Sequence, residues 1–252
     1  MALTEKTKNE IRDNLKNMLS EKLEKYESET DYRPFMDYIV REKIRVNSYS
    51  FIHSLYTSLG MSSYEQISKI IISSKGFECH TQWKFSTPKV SELRLQKIDE
   101  IITSVGSGLR VPERISEQSE ILAIPNEKLV TKKDGSVVDV YFVNDRGEQF
   151  CFDIKTVKPN KSGFLNHKRL VLTWIARANE PITSSIVFPY NPYHPQPYNR
   201  VGFNVFSEND VMIGEKYWDF IGGKNCYSEL MKIFDEVGMI MWPKIKQKID
   251  DL

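Results

Sequence analysis

The chain has 252 residues, 40% of them hydrophobic and 27% charged, and its 35 Lys+Arg against 34 Asp+Glu leave a net charge of +1. That length suits one large domain or two small ones, and that composition excludes a disordered, collagen-like or coiled-coil chain. A net charge near zero neither favours nor opposes a polyanionic partner, so local charge has to decide.

Taken in chain order, the opening MALTEKTKNEIRDN is charged where a signal peptide would carry its apolar segment. No stretch approaches the ~18 consecutive apolar residues of a membrane-crossing helix, so a cytoplasmic protein with no membrane partner is expected. Ile11, Leu15, Leu19 and Leu23 recur at four-residue spacing between Thr4 and Tyr26, as in an amphipathic helix that docks or dimerises. Residues 30–77 read as short helices, the last running from Ser63 to Ser73 with Ile67, Ile70 and Ile71 on its apolar face. Residues 80–90 read as irregular, 91–103 as a helix, and 105–136 as loop with a strand around Ile121 to Ile124. Strands follow over 137–143 and 148–155, then a helix over 164–178 and a strand over 185–188. A Pro/Tyr/Asn loop leads to a strand near Phe203 to Phe206 and to helices over 214–221 and 226–237. Residues 1–62 are expected to form a helical docking or dimerisation region, and 63–252 a catalytic domain not clearly separable from it. Cys79, Cys151 and Cys226 are far apart and have no histidine at zinc-ligand spacing, so neither disulfides nor a zinc site follows.

The chemistry concentrates in the two central strands. Asn144-Asp145-Arg146-Gly147 is a type I turn with a left-handed glycine, which closes a hairpin with Asn144 facing Glu148 and Asp139 facing Asp153. Alternation then puts Asp139, Asp153 and Lys155 on one face, and Val138, Val140, Phe142, Phe150, Phe152 and Ile154 on the other. Two carboxylates about 4 Å apart repel by roughly 4 kcal/mol at an effective dielectric near 20. A divalent cation removes that cost: Asp139, Asp153 and the backbone carbonyl of Ile154 are hard oxygen ligands suited to Mg²⁺, leaving sites for water and a phosphate oxygen. Lys155 is placed to hold the water. These are the parts of phosphodiester hydrolysis. The plain alternative is a chance D-x-K in which Asp153 pairs with Lys155 on a wet face.

Asp139, Asp153 and Lys155 at this spacing resemble the PD-(D/E)xK nuclease signature. The resemblance implies an α/β fold with a mixed central sheet flanked by helices in αβββαβ order, with helical N- and C-terminal additions. More narrowly, IHSLYTSLGMSSYEQIS, FDIKTVKPN, FPYNPYHPQPY and YWDFIGGKN look like the TdeIII family of type II restriction endonucleases, over about residues 50–238. Val138 stands where the general signature has Pro, and Asp153 where many members have Glu. Related nucleases often bring a helix carboxylate to the metal, which makes Glu65 a catalytic candidate; Ser62-x-x-Glu65 is equally a capping box.

Residues 154–179 hold Lys155, Lys158, Lys161, Lys168, Arg169 and Arg177 and no acid. Lys158, Lys161, Lys168 and Arg169 are therefore candidates for the sugar-phosphate backbone, with a solvated surface as the alternative. Asn160 adds a neutral phosphate contact or caps a helix. Asn191, His194, Gln196, Asn199 and Arg200, in a proline-stiffened loop, are candidates for reading base edges. The expected function is a Mg²⁺-dependent type II restriction endonuclease cutting both strands of double-stranded DNA at short palindromes. A homodimer would match the symmetry of the site, and the resemblance implies a cognate DNA methyltransferase as partner. The alternatives are a nuclease-like DNA-binding subunit without catalysis, and a structure- or damage-directed nuclease. His53, His80 and His167 read as ordinary, and the Tyr217 to Gly223 block as packing.

Overall fold

The computed structural model describes residues 2–27, 39–40, 43–156, 159–196, 198, 204–208 and 210–252, apart from the side chains of 43, 44 and 61. Helix α1 (Glu5–Lys25) begins at Thr4, whose hydroxyl accepts from the Thr7 amide. Next come α2 (Lys43–Ser58), a π-helical turn (Leu59–Ser63) and α3 (Tyr64–Ser74), then β1 (Cys79–Lys84) and β2 (Lys89–Ser91). Helices α4 (Glu92–Gly106) and α5 (Arg114–Leu122) precede β3 (Leu129–Thr131), β4 (Val137–Val143) and β5 (Gln149–Ile154). The chain closes with α6 (Lys161–Ala178), β6 (Thr183–Phe188), β7 (Val211–Ile213), α7 (Glu215–Gly222) and α8 (Cys226–Asp250).

The main sheet has the order β1-β4-β5-β6-β7. Its first three strands are antiparallel, while β6 and β7 join in parallel, β6 after the α6 crossover. The mixed α/β architecture expected from the sequence is present. Helices cover both faces, so the central strands are apolar on both sides rather than on one. One layer packs Ile11, Ile67, Val140, Phe142, Phe150, Phe152, Tyr217 and Leu230. The other packs Ile98, Ile121, Val138, Cys151, Trp174 and Ile186.

The first helix spends its apolar stripe inside the chain. Ile11 and Leu15 are buried, the amides of Ala2 and Leu3 donate to Glu229, and Arg12 pairs with Glu236 at 2.8 Å, docking α1 on α8. Among the described residues no helix is long and apolar enough to cross a membrane. The three cysteines are buried free thiols, and the Tyr217–Gly223 block packs as expected, with Tyr217 and Trp218 buried.

Four local expectations are corrected. Residues 80–90 are not irregular: Cys79–Lys84 is an edge strand on β4, a pairing some sixty residues away that local polarity hides. Ile121 to Ile124 is no strand, because Glu113 caps the amides of Ile115 and Ser116 and starts a helix that buries Ile121. The last helix does not stop at 237 but runs through Pro243 to Asp250, held by the buried stripe Leu230, Ile233, Val237 and Met241. Of the strand expected near Phe203 to Phe206, residue 203 lies outside the described residues and 204–206 are turn; the strand is Val211–Ile213 instead.

Candidate active site

The turn forms as its sequence dictates. Gly147 takes φ +76°, its amide donates to Asn144, and Asn144 pairs with Glu148. Val140 faces Phe152, Tyr141 faces Cys151 and Phe142 faces Phe150, the expected register. Beyond Val140 the strands part, and Asp139 turns its Oδ2 to accept a hydrogen bond from the Ile154 amide at 2.8 Å.

One detail of the expected faces is wrong. Val138 does not pack with Val140 but in the opposite layer, with Cys151 and Trp174. Strand β4 rolls over at Asp139. Opposite it in β1, Gln82 adopts a left-handed φ of +50° between the Thr81–Val140 and Trp83–Val138 pairs. Tertiary contacts must hold such a conformation, since a non-glycine residue adopts it only at a cost.

The charged groups converge. Lys155 Nζ lies 2.8 Å from Asp153 Oδ1 and 3.8 Å from Asp139 Oδ2. Asp153 is only 3% exposed. Its Oδ2 is buried and makes no hydrogen bond, with His167 Nδ1 its nearest cation-forming neighbour at 3.4 Å. Glu65 is 5% exposed and accepts from Gln82 Nε2 at 2.9 Å, while the same nitrogen donates to Asp139 Oδ1 at 3.2 Å. The capping-box alternative for Glu65 is therefore not realised: the chain enters α3 from a π-helical turn, and no side chain caps its first amides.

Burial, reinforced by Asp153, pushes the Asp139 carboxyl up from its ordinary range. Burial does the same to Glu65, raising it to about 7, with Gln82 opposing and Asp139 adding. Burial acts to lower the Lys155 ammonium, but Asp153 and Asp139 together outweigh it and hold the pKa above the usual lysine value. The result is a charged ammonium with two acids nearby, Asp139 and Glu65, that ionise reluctantly. Just beyond it, the hydroxyls of Tyr56 and Tyr190 donate to the Thr156 carbonyl at 2.8 and 3.1 Å. The π-helical turn comes so close there that a Cβ on Gly60 would stand 2.9 Å from Thr156 Oγ1.

Among the described residues no three His, Cys, Asp or Glu side chains form a group that would hold a metal by themselves. The donors that fit a hard cation are the two aspartates and the backbone, and the orphaned Asp153 Oδ2 is an oxygen with a lone pair to give.

The candidate DNA contacts fare unevenly. Lys168 is not a phosphate contact: it is 1% exposed and paired with Glu117 at 2.7 Å beneath the Phe206 ring, because its position on α6 faces the core. Arg177 of the same basic run is buried against the carbonyls of Thr87, Lys132 and Asp134. Arg169 pairs with Asp99 of α4. Asn160 caps α6, accepting from the Gly163 amide at 2.8 Å, and Lys161 is exposed at the first position of that helix. Asn191 is tied into its own loop, accepting from the Tyr193 amide and donating to the Gln196 carbonyl. His194 and Gln196 are exposed, while Lys158, Asn199 and Arg200 lie outside the described residues.

Reasoning from sequence missed Gln82 and His167. A glutamine in a strand carries no signal of its own. His167 lies on α6, whose crossing over β5 is what brings it to Asp153.

A half-buried and a buried aspartate with a lysine between them, at the end of a hairpin beside a parallel strand, form an arrangement that a phosphodiester-cleaving enzyme can use. The chain belongs to the HinfI family of type II restriction endonucleases, whose model it matches over residues 3–238. The matching family is thus HinfI, where the four sequence blocks had pointed to TdeIII. Among curated relatives, MjaII from Methanocaldococcus jannaschii, a type II restriction enzyme, is 28% identical over 79% of this chain and 56% of its own length. HgiEI and HgiCII, type II restriction enzymes from Herpetosiphon aurantiacus, are each 25% identical over 99% of this chain and essentially all of theirs.

Proposed function

We propose that the chain cuts both strands of short palindromic DNA sites as a homodimer in a Mg²⁺-dependent reaction, with Asp139, Asp153, Lys155 and Glu65 as its catalytic residues and a PD-(D/E)xK nuclease core as its scaffold. The observation that carries this reading is the position of the Lys155 ammonium, within 4 Å of both aspartates. The order of helix α3, three antiparallel strands, helix α6 and parallel strand β6 supports the scaffold.

Asp139, Asp153 and the Ile154 carbonyl would hold Mg²⁺. When bound, the cation offsets charge that develops on the phosphate and eases ionisation of a water. Lys155 hydrogen-bonds that water and favours its hydroxide form, and Glu65 adds a third carboxylate. The Ile154 amide keeps Asp139 from rotating away, and solvent protonates the leaving 3′ oxygen. Lys161, at the start of α6, meets the sugar-phosphate backbone; His194 and Gln196, exposed in the proline-rich loop, face the bases. A methyltransferase of the same specificity protects host DNA. Residues 1–62 serve as the docking and dimer-forming region.

Incubation with plasmid DNA and Mg²⁺ tests the reading. Discrete fragments with ends at one sequence are expected, and none in a chelator. A smear, or intact DNA with every divalent ion, would overturn site-specific cutting. Salt-sensitive binding without scission would mark a non-catalytic DNA-binding subunit, and cutting confined to damaged DNA would mark a lesion-directed nuclease.

A further inference from the structure

We propose that Gln82 is a positioning residue for this cleavage site: its single amide nitrogen ties Glu65 of α3 to Asp139 of β4 and so sets where both carboxylates stand. The inference rests on the nuclease reading above. A glutamine amide nitrogen has two hydrogens, and here each has an acid to meet, Glu65 Oε1 at 2.9 Å and Asp139 Oδ1 at 3.2 Å.

Both oxygens of Asp139 are thereby engaged, Oδ1 by Gln82 and Oδ2 by the Ile154 amide, which fixes the plane of the carboxyl. The side chain choice has a charge argument behind it. A lysine at this position would bridge the same acids but add a positive charge where a cation must come; an acid would add repulsion. An amide donates two hydrogen bonds and carries no charge.

The backbone makes the same point independently. Gln82 reaches both acids from the left-handed region at φ +50°, in a strand where an extended residue would follow the ladder. Residues held in such sparsely populated conformations persist only where their surroundings over-determine them. Glutamine gains nothing from burial at this position, since the residue is exposed. Its contacts with the two acids are what the conformation delivers.

Groups that orient metal-binding carboxylates typically change metal affinity or activity by about 10–100-fold when removed. Gln82→Met, which keeps the length and removes both hydrogens, is expected to lower kcat by about that factor with KM for duplex DNA nearly unchanged. Titration calorimetry with Ca²⁺ alone should show its affinity weakened by a similar factor. Gln82→Gly is the second variant: glycine adopts φ +50° freely, so it secures the backbone and removes only the amide, and the same two losses are expected. Wild-type kcat and wild-type Ca²⁺ affinity in Gln82→Gly would overturn the role of the amide while leaving the nuclease intact. A wild-type protein that cuts no DNA would overturn the nuclease reading itself.

Discussion

Asp139 and Ile154 are joined across the hairpin by a hydrogen bond from the Ile154 amide to Asp139 Oδ2, 2.8 Å long. A side chain on one strand is thus anchored to the backbone of the other, one residue before Lys155. The anchoring makes the site a preformed arrangement rather than three flexible side chains, and substitutions in it should act on chemistry more than on folding.

Lys155→Ala removes the ammonium between the two acids. It should lower kcat by about 10²–10⁴-fold, the usual worth of a group that handles the reacting proton, while duplex binding in Ca²⁺ stays near wild type. Gel-shift and single-turnover cleavage assays on one oligonucleotide separate the two quantities. Cleavage within threefold of wild type would remove Lys155 from the mechanism.

Glu65 confers a pH dependence on stability with a definite sign. Its pKa in the folded protein is about 7 against 4.5 ordinarily, so between those values the folded state holds a proton that the unfolded chain has released. Its contribution is complete below about pH 4.5 and is lost as the pH rises through about 7. Glu65→Gln keeps the acceptor for Gln82 and abolishes the titration. In chelator-containing buffer it should be more stable than wild type at pH 8 by about 1–3 kcal/mol, and the difference should vanish near pH 4.5. Urea unfolding at the two pH values measures this; a pH-independent difference would contradict it.

Lys168 and Glu117 form a buried pair 2.7 Å apart, each 1% exposed at the side chain. Lys168→Met alone leaves an uncompensated carboxylate in the core and should destabilise by about 3–5 kcal/mol, whereas the double variant with Glu117→Leu should recover most of the loss. Denaturant midpoints of the single and double variants check this. A single variant as stable as wild type would place Lys168 on the surface after all.

Lys161 supplies the contrast, being exposed at the first position of α6. Lys161→Ala should weaken DNA binding uniformly across sequences and reduce the logarithmic salt slope by about one. Binding isotherms from low to moderate salt give the slope, and an unchanged slope would mean that no phosphate meets this residue.

Much of this site was legible in the chain because its determinants are local. A four-residue turn with glycine in the left-handed position sets the register of the strands that follow it as far as Val140 and Phe152; the placing of Asp139 and Asp153 beyond that point depends on contacts from other elements. The helix over 164–178 and the strand after it were equally readable, since apolar spacing reports a buried face directly. Charge was not readable in that way. Lys158, Lys161, Lys168, Arg169 and Arg177 form one basic run, yet α6 turns Lys168 and Arg177 into the interior and Arg169 toward Asp99. A charged residue's fate depends on which partner the other elements bring to it.

Sequence alone determined the hairpin and its register, because those follow from interactions a few residues apart. Tertiary structure alone decided that a polar edge strand pairs with β4, that Gln82 bridges Glu65 and Asp139, and that Glu65 faces the site instead of capping its helix. Those contacts join residues distant in the chain, and no local preference of a glutamine or a glutamate encodes the partner it will meet when helix and sheet pack together.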